Sequence, residues 1–275
     1  MAPQSSVSGT RLRLQDNDGN EPRMNRTSDC WPSTLTRQGS RIFRCTHSVV
    51  SCDPEWEAAY ERFETPEEEI QKFVGRLKTL QLHRLPKTTQ VVEIFCGRGN
   101  GLIALERLGF SDREGVDLSE PLLTKYAGTP LNLYVADCRA LPFGDNSKDL
   151  LIVQGGLHHL SALPEDVDRT ISEVKRVLRP GGRLAIVEPY PSRTLSWIHR
   201  LSEWEPFRRL SPRLDALAVM TERERTTYEN WLRMIPSIRN SIKQSLEPLV
   251  DRITWTKWMF VGRKSLQGAR RNRDQ

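Results

Sequence analysis

The chain has 275 residues, which is long enough for one large α/β domain with short appendages. No apolar run reaches about 18 residues, so the composition excludes a transmembrane helix within these residues. The five cysteines are too few and too scattered for a disulfide framework, which predicts a cytoplasmic protein.

The net charge of +6 is concentrated at the two ends of the sequence. Residues 1–48 carry a net charge of +3 and residues 263–275 a net charge of +4, which leaves −1 for the body between them. A nucleic-acid-binding domain shows its basic residues on the folded surface. The distribution therefore argues against a nucleic-acid partner.

Residues 1–50 are rich in Ser, Thr, Asn, Arg and Gln and have no sustained apolar period, which predicts a disordered N-terminal tail. This part of the chain also holds a set of potential zinc ligands, namely Cys30, Cys45, His47 and Cys52. The set lacks any C-x₂₋₄-C pair, so its spacing does not predict a zinc site.

Two helices are predicted after the tail. Residues 65–68, Thr-Pro-Glu-Glu, form a capping box with proline at the first helical position, and the apolar residues behind it fall on one helical face. Just before this box, Trp56, Tyr60 and Phe63 are spaced by four and three residues. That spacing puts the three rings on one side of a shorter helix.

Strands and helices alternate between residues 90 and 189. Short apolar runs predict strands at 91–95, 114–116, 131–136, 150–153 and 184–187. The clearest helix between them is 167–178, which ends at the proline and glycine break in 179–182. The alternation predicts a doubly wound parallel sheet with right-handed crossovers, whose ligands bind beyond the carboxyl ends of the strands.

The pattern changes after residue 189. Residues 190–245 are mostly helical in pattern, charged and rich in Trp. Residues 252–263 then predict a strand, which we interpret as the second arm of a terminal hairpin.

A glycine loop follows the first predicted strand. Gly97, Gly99 and Gly101 alternate directly before a helical pattern, where glycine permits positive φ and close approach of a ligand to the backbone. Asp117 ends the next apolar segment, twenty positions after Gly97, so the spacing indicates a ribose-bearing cofactor. A nicotinamide-binding loop would place its third glycine at Leu102, which counts against NAD.

A second acid follows the third predicted strand. Asp137 lies twenty positions after Asp117, so a ligand across the first three strand ends would meet Glu93, Asp117 and Asp137 in turn. An ordinary strand-end acid at 117 and a turn cap at 137 remain alternatives. Glu93 lies within an apolar strand, where an unpartnered carboxylate is costly, and this favours a functional role.

Five segments in this order resemble the class I S-adenosylmethionine-dependent methyltransferases, in particular the small-molecule group related to the quinone-biosynthesis enzymes: 93–101, 116–119, 136–143, 149–160 and 177–189. The resemblance implies a Rossmann-like α/β fold, with a doubly wound, mostly parallel, seven-stranded sheet in the order 3-2-1-4-5-7-6 and helices on both faces. It also implies one methyltransferase domain over 51–264, in which 51–82 and 190–245 form a helical cap over the active site. Residues 265–275 would be a basic C-terminal tail.

By this resemblance the cofactor is S-adenosyl-L-methionine. The loop of Gly97, Gly99 and Gly101 would hold its methionine part through backbone N–H groups. Glu93 would face the ammonium group of the same part.

The resemblance also assigns the nucleoside end of the cofactor. Asp117 would accept hydrogen bonds from both ribose hydroxyls, and Asp137 would accept one from the adenine amino group. Leu118 and Cys138 would line the adenine ring. Gln154 would border the amino acid end and the methyl group.

The methyl acceptor is expected to meet the loop after the fourth strand. His158 and His159 are the predicted catalytic residues, and His158 is the first candidate for a general base because histidine titrates near neutral pH. Glu188 and Tyr190, after the fifth strand, are further candidates. Adjacent histidines point in different directions, so one of the two is expected to be structural. No metal is predicted, because no third or fourth ligand is visible near this pair in the sequence.

The predicted function is transfer of a methyl group to an O or C atom of a small, apolar or ring-bearing molecule. Aromatic residues of the cap segments would line its pocket: Trp56, Tyr60, Phe63, Trp197, Trp204 and Phe207. The loop 154–157, Gln-Gly-Gly-Leu, lacks the Asn/Asp-Pro-Pro-aromatic signature of enzymes that methylate nucleobase or amide nitrogens. An RNA or protein methyltransferase and a non-catalytic cofactor-binding interaction protein remain the alternatives.

Overall fold

The computed structural model describes residues 30–47, 53–205 and 211–266, which are built around one nine-stranded sheet. The strands are β1 (Trp31–Leu35), β2 (Arg41–Arg44), β3 (Val91–Ile94), β4 (Arg113–Asp117), β5 (Asn132–Val135), β6 (Lys148–Gln154), β7 (Leu178–Pro189), β8 (Glu247–Ile253) and β9 (Lys257–Arg263). Their order across the sheet is β1-β2-β5-β4-β3-β6-β7-β9-β8. The seven strands β3–β9 thus follow the predicted order 3-2-1-4-5-7-6.

The strands β3–β7 are parallel to one another, whereas β9 runs antiparallel to both β7 and β8. The strand predicted at 252–263 is therefore two strands, and residues 254–256 connect them. The interpretation of a terminal hairpin is confirmed, with its arms at β8 and β9.

Two strands lie in the segment that was predicted to be disordered. Strand β2 pairs parallel with β5 and antiparallel with β1, and a disulfide joins Cys30 to Cys45. The prediction of disorder is therefore wrong for 31–44 and the count of seven strands is two too low. All five residues of β1 are exposed, and Ile42 is the one fully buried residue of β2. Because these two strands bury so little apolar area, their sequence shows no apolar periodicity.

The structure also bears on the cysteines of this segment. The disulfide uses two of the cysteines that were considered together as zinc ligands, and the cysteine spacing did not predict it. Cys52 and the rest of the predicted tail, 1–29 and 48–50, lie outside the described residues. Cys96 and Cys138 are free and buried.

The helices cover both faces of the sheet, as predicted. They are α1 (Pro54–Phe63), α2 (Pro66–Thr79), α3 (Asn100–Arg107), α4 (Glu120–Leu123), α5 (Glu165–Val177), α6 (Arg193–Glu203), α7 (Pro212–Arg223) and α8 (Arg225–Ser245). The side chains of α2 and α3 pack with one core, which includes Phe73 and Leu105. The side chains of α5 and α8 pack with the other, which includes Val174 and Trp231.

The start of α2 shows how the local sequence sets the fold. The Thr65 hydroxyl accepts from the backbone N–H of Glu68, and the Glu68 carboxylate accepts from the backbone N–H of Thr65. The predicted capping box is therefore confirmed.

The first helix packs against α7 through a small separate core. Trp56, Tyr60 and Phe63 lie on one side of α1, as predicted, and meet Ala216 and Met220 of α7. This pair of helices forms part of the predicted cap. In the part of the chain that the structure describes, no helix is both long and apolar enough to cross a bilayer.

Both edge strands are irregular. The register between β1 and β2 shifts between Pro32 and Thr34, and the register between β8 and β9 shifts between Pro248 and Val250. Each edge strand thus contains a proline, which has no N–H to donate to a neighbouring strand.

Candidate functional site

The three predicted acids lie at the same edge of the sheet, and Glu93 and Asp117 lie on the same face. Glu93 is in register with Gly115, and Asp117 follows two residues later in β4. Asp117 is in turn in register with Val135, two residues before Asp137. In-register residues of neighbouring strands point to the same face, and so do residues two apart in one strand, so Glu93 and Asp117 share a face. Asp137 follows the end of β5 at the same rim.

The glycine loop turns at this rim. Gly97 and Gly99 have φ of +52° and +77°, the left-handed region that glycine adopts without strain. The backbone N–H of Gly97 donates to Oδ2 of Asp117 at 2.7 Å, and the N–H of Ser119 donates to Oδ1 at 2.8 Å. Burial raises the pKa of Asp117 although these backbone donors oppose the shift.

Gly101 is the second residue of α3 and lies directly against Glu93. A Cβ at this position would lie 1.9 Å from Oε1 of Glu93. Only glycine therefore allows this carboxylate to stand behind the loop.

Glu93 is almost fully buried, with 2% of its surface exposed, and it lacks a full set of donors. Its Oε1 accepts from Nε2 of Gln154 at 3.2 Å, whereas Oε2 has no hydrogen-bond partner among the described residues. The same is true of Oε1 of Gln154. Burial raises the pKa of Glu93 to about 8, and the charges of Glu69 and Asp117 add to the shift.

Two unpaired acceptors side by side fit a ligand that brings hydrogen-bond donors and positive charge. The ammonium group of S-adenosylmethionine has both properties. The residues present therefore fit the methionine end of this cofactor.

Asp137 differs from the other two acids because an arginine side chain binds its carboxylate. Its Oδ1 accepts from the backbone N–H of Arg139 at 2.7 Å, and its Oδ2 is 2.7 Å from Nη2 of the same arginine. Arg139 also reaches Asp166 at 2.8 Å. Asp137 thus makes the turn contact that was the alternative to an adenine role, and the sequence did not point to its arginine partner.

The remaining predicted cofactor contacts lie beside these acids. Cys138 is buried with its Sγ 3.4 Å from Oγ1 of Thr170, and burial raises the pKa of its thiol to about 12, so it stays protonated. Leu118 follows Asp117 and is half-buried. Both positions border the strand ends, and their contact with adenine remains a prediction.

A second polar cluster lies after β6 and β7. His158 is in a short 3₁₀ turn (Leu157–His159), with its Nδ1 2.8 Å from Oε2 of Glu188. The other oxygen of Glu188 accepts from the backbone N–H groups of Gly156 at 2.7 Å and Leu157 at 2.8 Å. The carboxylate of Glu188 is therefore fixed on three sides.

The protonation of this pair follows from its surroundings. Burial lowers the pKa of His158, and the neighbouring His159 adds to the shift against the opposing effect of Glu188. Burial favours a higher pKa for Glu188, but His158 and the backbone donors outweigh it and the net pKa is lowered. The pair is thus a carboxylate and a neutral imidazole with its proton on Nδ1, which leaves the lone pair on Nε2.

Glu224 completes the cluster, although nothing in the sequence predicted it. Its Oε1 lies 3.2 Å from Nδ1 of His159 and its Oε2 lies 4.0 Å from Nε2 of His158. Burial lowers the pKa of His159, but the hydrogen bond and charge of Glu224 outweigh it and the net pKa is raised. Glu224 lies 65 residues after His159 in a run of exposed charges, which hides it from motif analysis.

Three members of this cluster, His158, His159 and Glu224, each offer one metal-ligand atom, and these three atoms lie within 4.8 Å of one another. The reason given for predicting no metal, that a third ligand was not visible, is therefore wrong. The absence of a metal remains a prediction. It now depends on the charge of His159 beside Glu224 rather than on the number of ligands.

Comparisons with known proteins agree with this geometry. Residues 92–186 match the family model described as a methyltransferase domain. A demethylmenaquinone methyltransferase of Thermus thermophilus is 28% identical over 151 residues, which cover 52% of this chain and 64% of the relative. The chain spans less than two thirds of the length of the first curated relatives that it matches.

Solved structures share the fold at low sequence identity. The PH0226 protein of Pyrococcus horikoshii superposes with a TM-score of 0.55 at 18% identity, over 78% of this chain and 100% of that one. A putative S-adenosylmethionine-dependent methyltransferase of Methanococcus maripaludis superposes with a TM-score of 0.50 at 14% identity, over 80% of this chain and 98% of that one. Residues 92–186 are therefore similar to a methyltransferase domain, the chain is similar to a demethylmenaquinone methyltransferase over 151 residues, and it shares the fold of a putative S-adenosylmethionine-dependent methyltransferase.

Proposed function

We propose that this protein transfers the methyl group of S-adenosylmethionine to an O or C atom of a small, apolar or ring-bearing molecule. The observation that carries the proposal is the buried Glu93 with its unpaired Oε2, held behind the glycine loop and in line with Asp117. The similarity to a demethylmenaquinone methyltransferase supports a small ring-bearing acceptor.

The cofactor would lie across the ends of β3, β4 and β5. Glu93 and Gln154 would accept from its ammonium group, and the loop of Gly97, Gly99 and Gly101 would leave room for its methionine part. Asp117 would accept from the ribose, because each of its oxygens keeps a lone pair beyond the backbone donor that it already has. Asp137, Leu118 and Cys138 would meet the adenine.

The side chains of the second cluster would act on the acceptor. When bound, the cofactor supplies a methyl group activated by the positive sulfur. Nε2 of His158 would take the proton that the attacking O or C atom loses, and Glu188 would hold the imidazole in that tautomer. General bases of this kind contribute on the order of 10²- to 10⁴-fold in rate.

Alignment of the methyl donor with the acceptor would contribute more to the rate than the general base does. A well-oriented pair of reactants can save about 7 to 11 kcal/mol of the barrier. The predicted helical cap would provide this orientation and exclude water, and the contact of Trp56 in α1 with His159 supports this role.

Aromatic rings surround the two imidazoles. The Trp56 ring meets His159 edge-on with centroids 6.3 Å apart, and the Tyr228 ring meets His158 edge-on at 5.7 Å. These rings support a flat acceptor. Trp197, which was expected in the lining, is 66% exposed, and Phe207 lies outside the described residues.

Calorimetry tests the cofactor assignment. S-adenosylhomocysteine should bind and NADH should not, and Asp117→Ala should weaken S-adenosylhomocysteine at least tenfold because a ribose acceptor is lost. Unchanged affinity of this variant would contradict the ribose assignment.

Turnover with a labelled methyl donor tests the reaction. A panel of phenols, quinols and aromatic acids should give a labelled small-molecule product. Cofactor binding without transfer to any member of the panel, or transfer to RNA or protein instead, would favour one of the alternative functions.

A further inference from the structure

Three basic side chains gather on one face of the sheet, at its carboxyl end. Lys72 and Arg76 are one helical turn apart on α2, and both lie over the ring of Phe73, at 5.4 and 5.2 Å from its centroid. Lys257 begins β9, two residues before Met259, which shares a core with Phe73. Since residues two apart in a strand point to the same face, Lys257 lies on the face that α2 covers.

These charges affect one another. Burial lowers the pKa of Lys257 to about 7, and the positive charges of Arg76 and Lys72 add to the shift. Burial also lowers the pKa of Arg76. The fold therefore holds together three half-buried cations that repel one another.

The repulsion is only partly balanced. Lys72 pairs with Glu64, whereas Arg76 and Lys257 have no hydrogen bond or ion pair from their side chains to any described residue. An unpaired cation away from water is destabilising, so such a group needs another reason to be there.

Four carboxylates act on Arg76, and each is already paired or neutral. Glu64 pairs with Lys72, and Glu93 is protonated at pH 7 because its pKa is raised to about 8. Glu69 accepts from the side chains of Tyr60 and Asn100, and Glu188 accepts from His158 and two backbone N–H groups. Neither can approach the two cations without breaking those bonds. The missing negative charge would have to come from a ligand.

The position of Lys257 separates this ligand from the cofactor. Strand β9 is three strands away from β3, and neighbouring strands are about 4.8 Å apart, so Lys257 lies about 14 Å across the sheet from the strand of Glu93. Lys257 instead faces Pro189, the residue after Glu188. The charge of Glu188, which orients His158, acts on both Lys257 and Arg76, so the cluster lies at the end of the sheet that holds the proposed base.

We infer that Lys257 and Arg76, with Lys72, bind an anionic group of the methyl acceptor, which is therefore a small ring-bearing acid. This inference rests on the proposed function for the identity of the ligand as the acceptor. The cation cluster recognises carboxylate and phosphate alike, so matched probes decide between them.

Calorimetric titration with benzoate, phenyl phosphate and benzamide tests the inference, with and without S-adenosylhomocysteine. The three probes share the ring and differ in charge. At least one of the two anions should bind tenfold or more tightly than benzamide. The Lys257→Met variant should lose this preference, and Lys257→Arg should keep it.

Two further measurements control for folding. Lys78→Met removes an exposed lysine from the same helix and should leave the preference unchanged. Lys257→Met should raise the melting temperature of the free protein, because it removes a repelled and unpaired charge. A fall in melting temperature would mean that Lys257 is already compensated, which contradicts the inference.

The outcomes separate the two proposals. Equal binding of benzoate, phenyl phosphate and benzamide, in a protein that binds S-adenosylhomocysteine, would overturn the inference and leave the methyltransferase proposal standing. Weaker S-adenosylhomocysteine binding by Lys257→Met would assign the cluster to the cofactor carboxylate and would also overturn it. Failure of S-adenosylhomocysteine to bind at all would sink the proposed function, while the anion preference of the free protein still decides whether this cluster is an anion site.

Discussion

Nδ1 of His158 lies 2.8 Å from Oε2 of Glu188, a carboxylate with no exposed surface. This bond keeps the proton on Nδ1 and the lone pair on Nε2. The Glu188→Gln change replaces the acceptor oxygen or turns a donor toward the ring, so the base would adopt the wrong tautomer. Single-turnover rates should fall by on the order of 10²- to 10⁴-fold, whereas the affinity for S-adenosylhomocysteine should not change.

The matched control is Glu165→Gln, an exposed glutamate at the start of α5. It should leave the rate unchanged. His158→Ala should lose as much as Glu188→Gln, and the double variant should lose little more, because the two residues act as one unit. Full turnover of His158→Ala would remove both residues from the mechanism.

Cofactor binding should depend on pH through Glu93. The pKa of this carboxyl is raised from 4.5 to about 8 in the free protein, so it is protonated at pH 7, whereas an ammonium ligand favours the ionised form. Binding at pH 7 should therefore release a proton, and affinity should rise with pH up to about 8. Calorimetry in two buffers of different ionisation enthalpy measures the proton release.

The Glu93→Gln variant is the reference for this experiment, since it cancels the titration of the ligand itself. It should bind more weakly and release fewer protons. An identical proton release in both proteins would contradict the assignment of Glu93 to the ammonium group.

The same pKa predicts a stability effect without ligand. A carboxyl whose folded pKa lies above its unfolded value binds its proton more tightly when folded, so its contribution is lost as pH rises from 4.5 toward 8. Glu93→Gln should therefore be more stable than the unchanged protein at pH 8.5, by on the order of a few kcal/mol, and nearly equal at pH 4.5. Urea unfolding at the two pH values measures the difference.

Gly101→Ala should be harmful although it lies in a helix. Helix propensity alone would favour alanine by about 1 kcal/mol, but its Cβ would lie 1.9 Å from Oε1 of Glu93. We expect a net destabilisation of about 1 to 3 kcal/mol and a loss of S-adenosylhomocysteine affinity, measured by thermal melting and calorimetry. Gly144→Ala is the control, because a Cβ there meets nothing within 4 Å and should change neither quantity.

Turnover should not require a metal ion. The raised pKa of His159 favours its charged form beside Glu224, 3.2 Å away, and a positive charge there disfavours a bound cation. Incubation with EDTA should leave the rate unchanged, and elemental analysis should find less than one metal per chain. A stoichiometric divalent ion that is lost in Glu224→Gln would show instead that His158, His159 and Glu224 are ligands.

The sequence predicted the central sheet because each of its strands is a buried apolar run closed by a turn. Strand β3 is buried at every position, and this pattern is unmistakable for a parallel strand. Strands β1 and β2 were missed for the opposite reason. Their residues are mostly exposed, and they are held by the edge of β5 and by the Cys30–Cys45 disulfide rather than by their own burial.

The residues of the candidate site also divide into those that the sequence predicted and those that it missed. Glu93, Asp117 and the glycines follow strand ends at regular spacing, so their placement at one rim was predictable. Glu224 and Lys257 reach the site from the cap and from an antiparallel strand, where spacing in sequence carries no information about distance in space. Glu188 was predicted as a possible base, and the structure gives it an orienting contact with His158 instead.

The irregular backbone of the two edge strands affects how this protein can self-associate. Strands β1 and β8 each combine a proline with a register shift, so neither outer strand of the described sheet presents a continuous row of backbone donors. A second copy of the chain could not extend the sheet by simple strand addition at either side. A homo-oligomer formed through the described residues is therefore expected to use helix or loop surfaces.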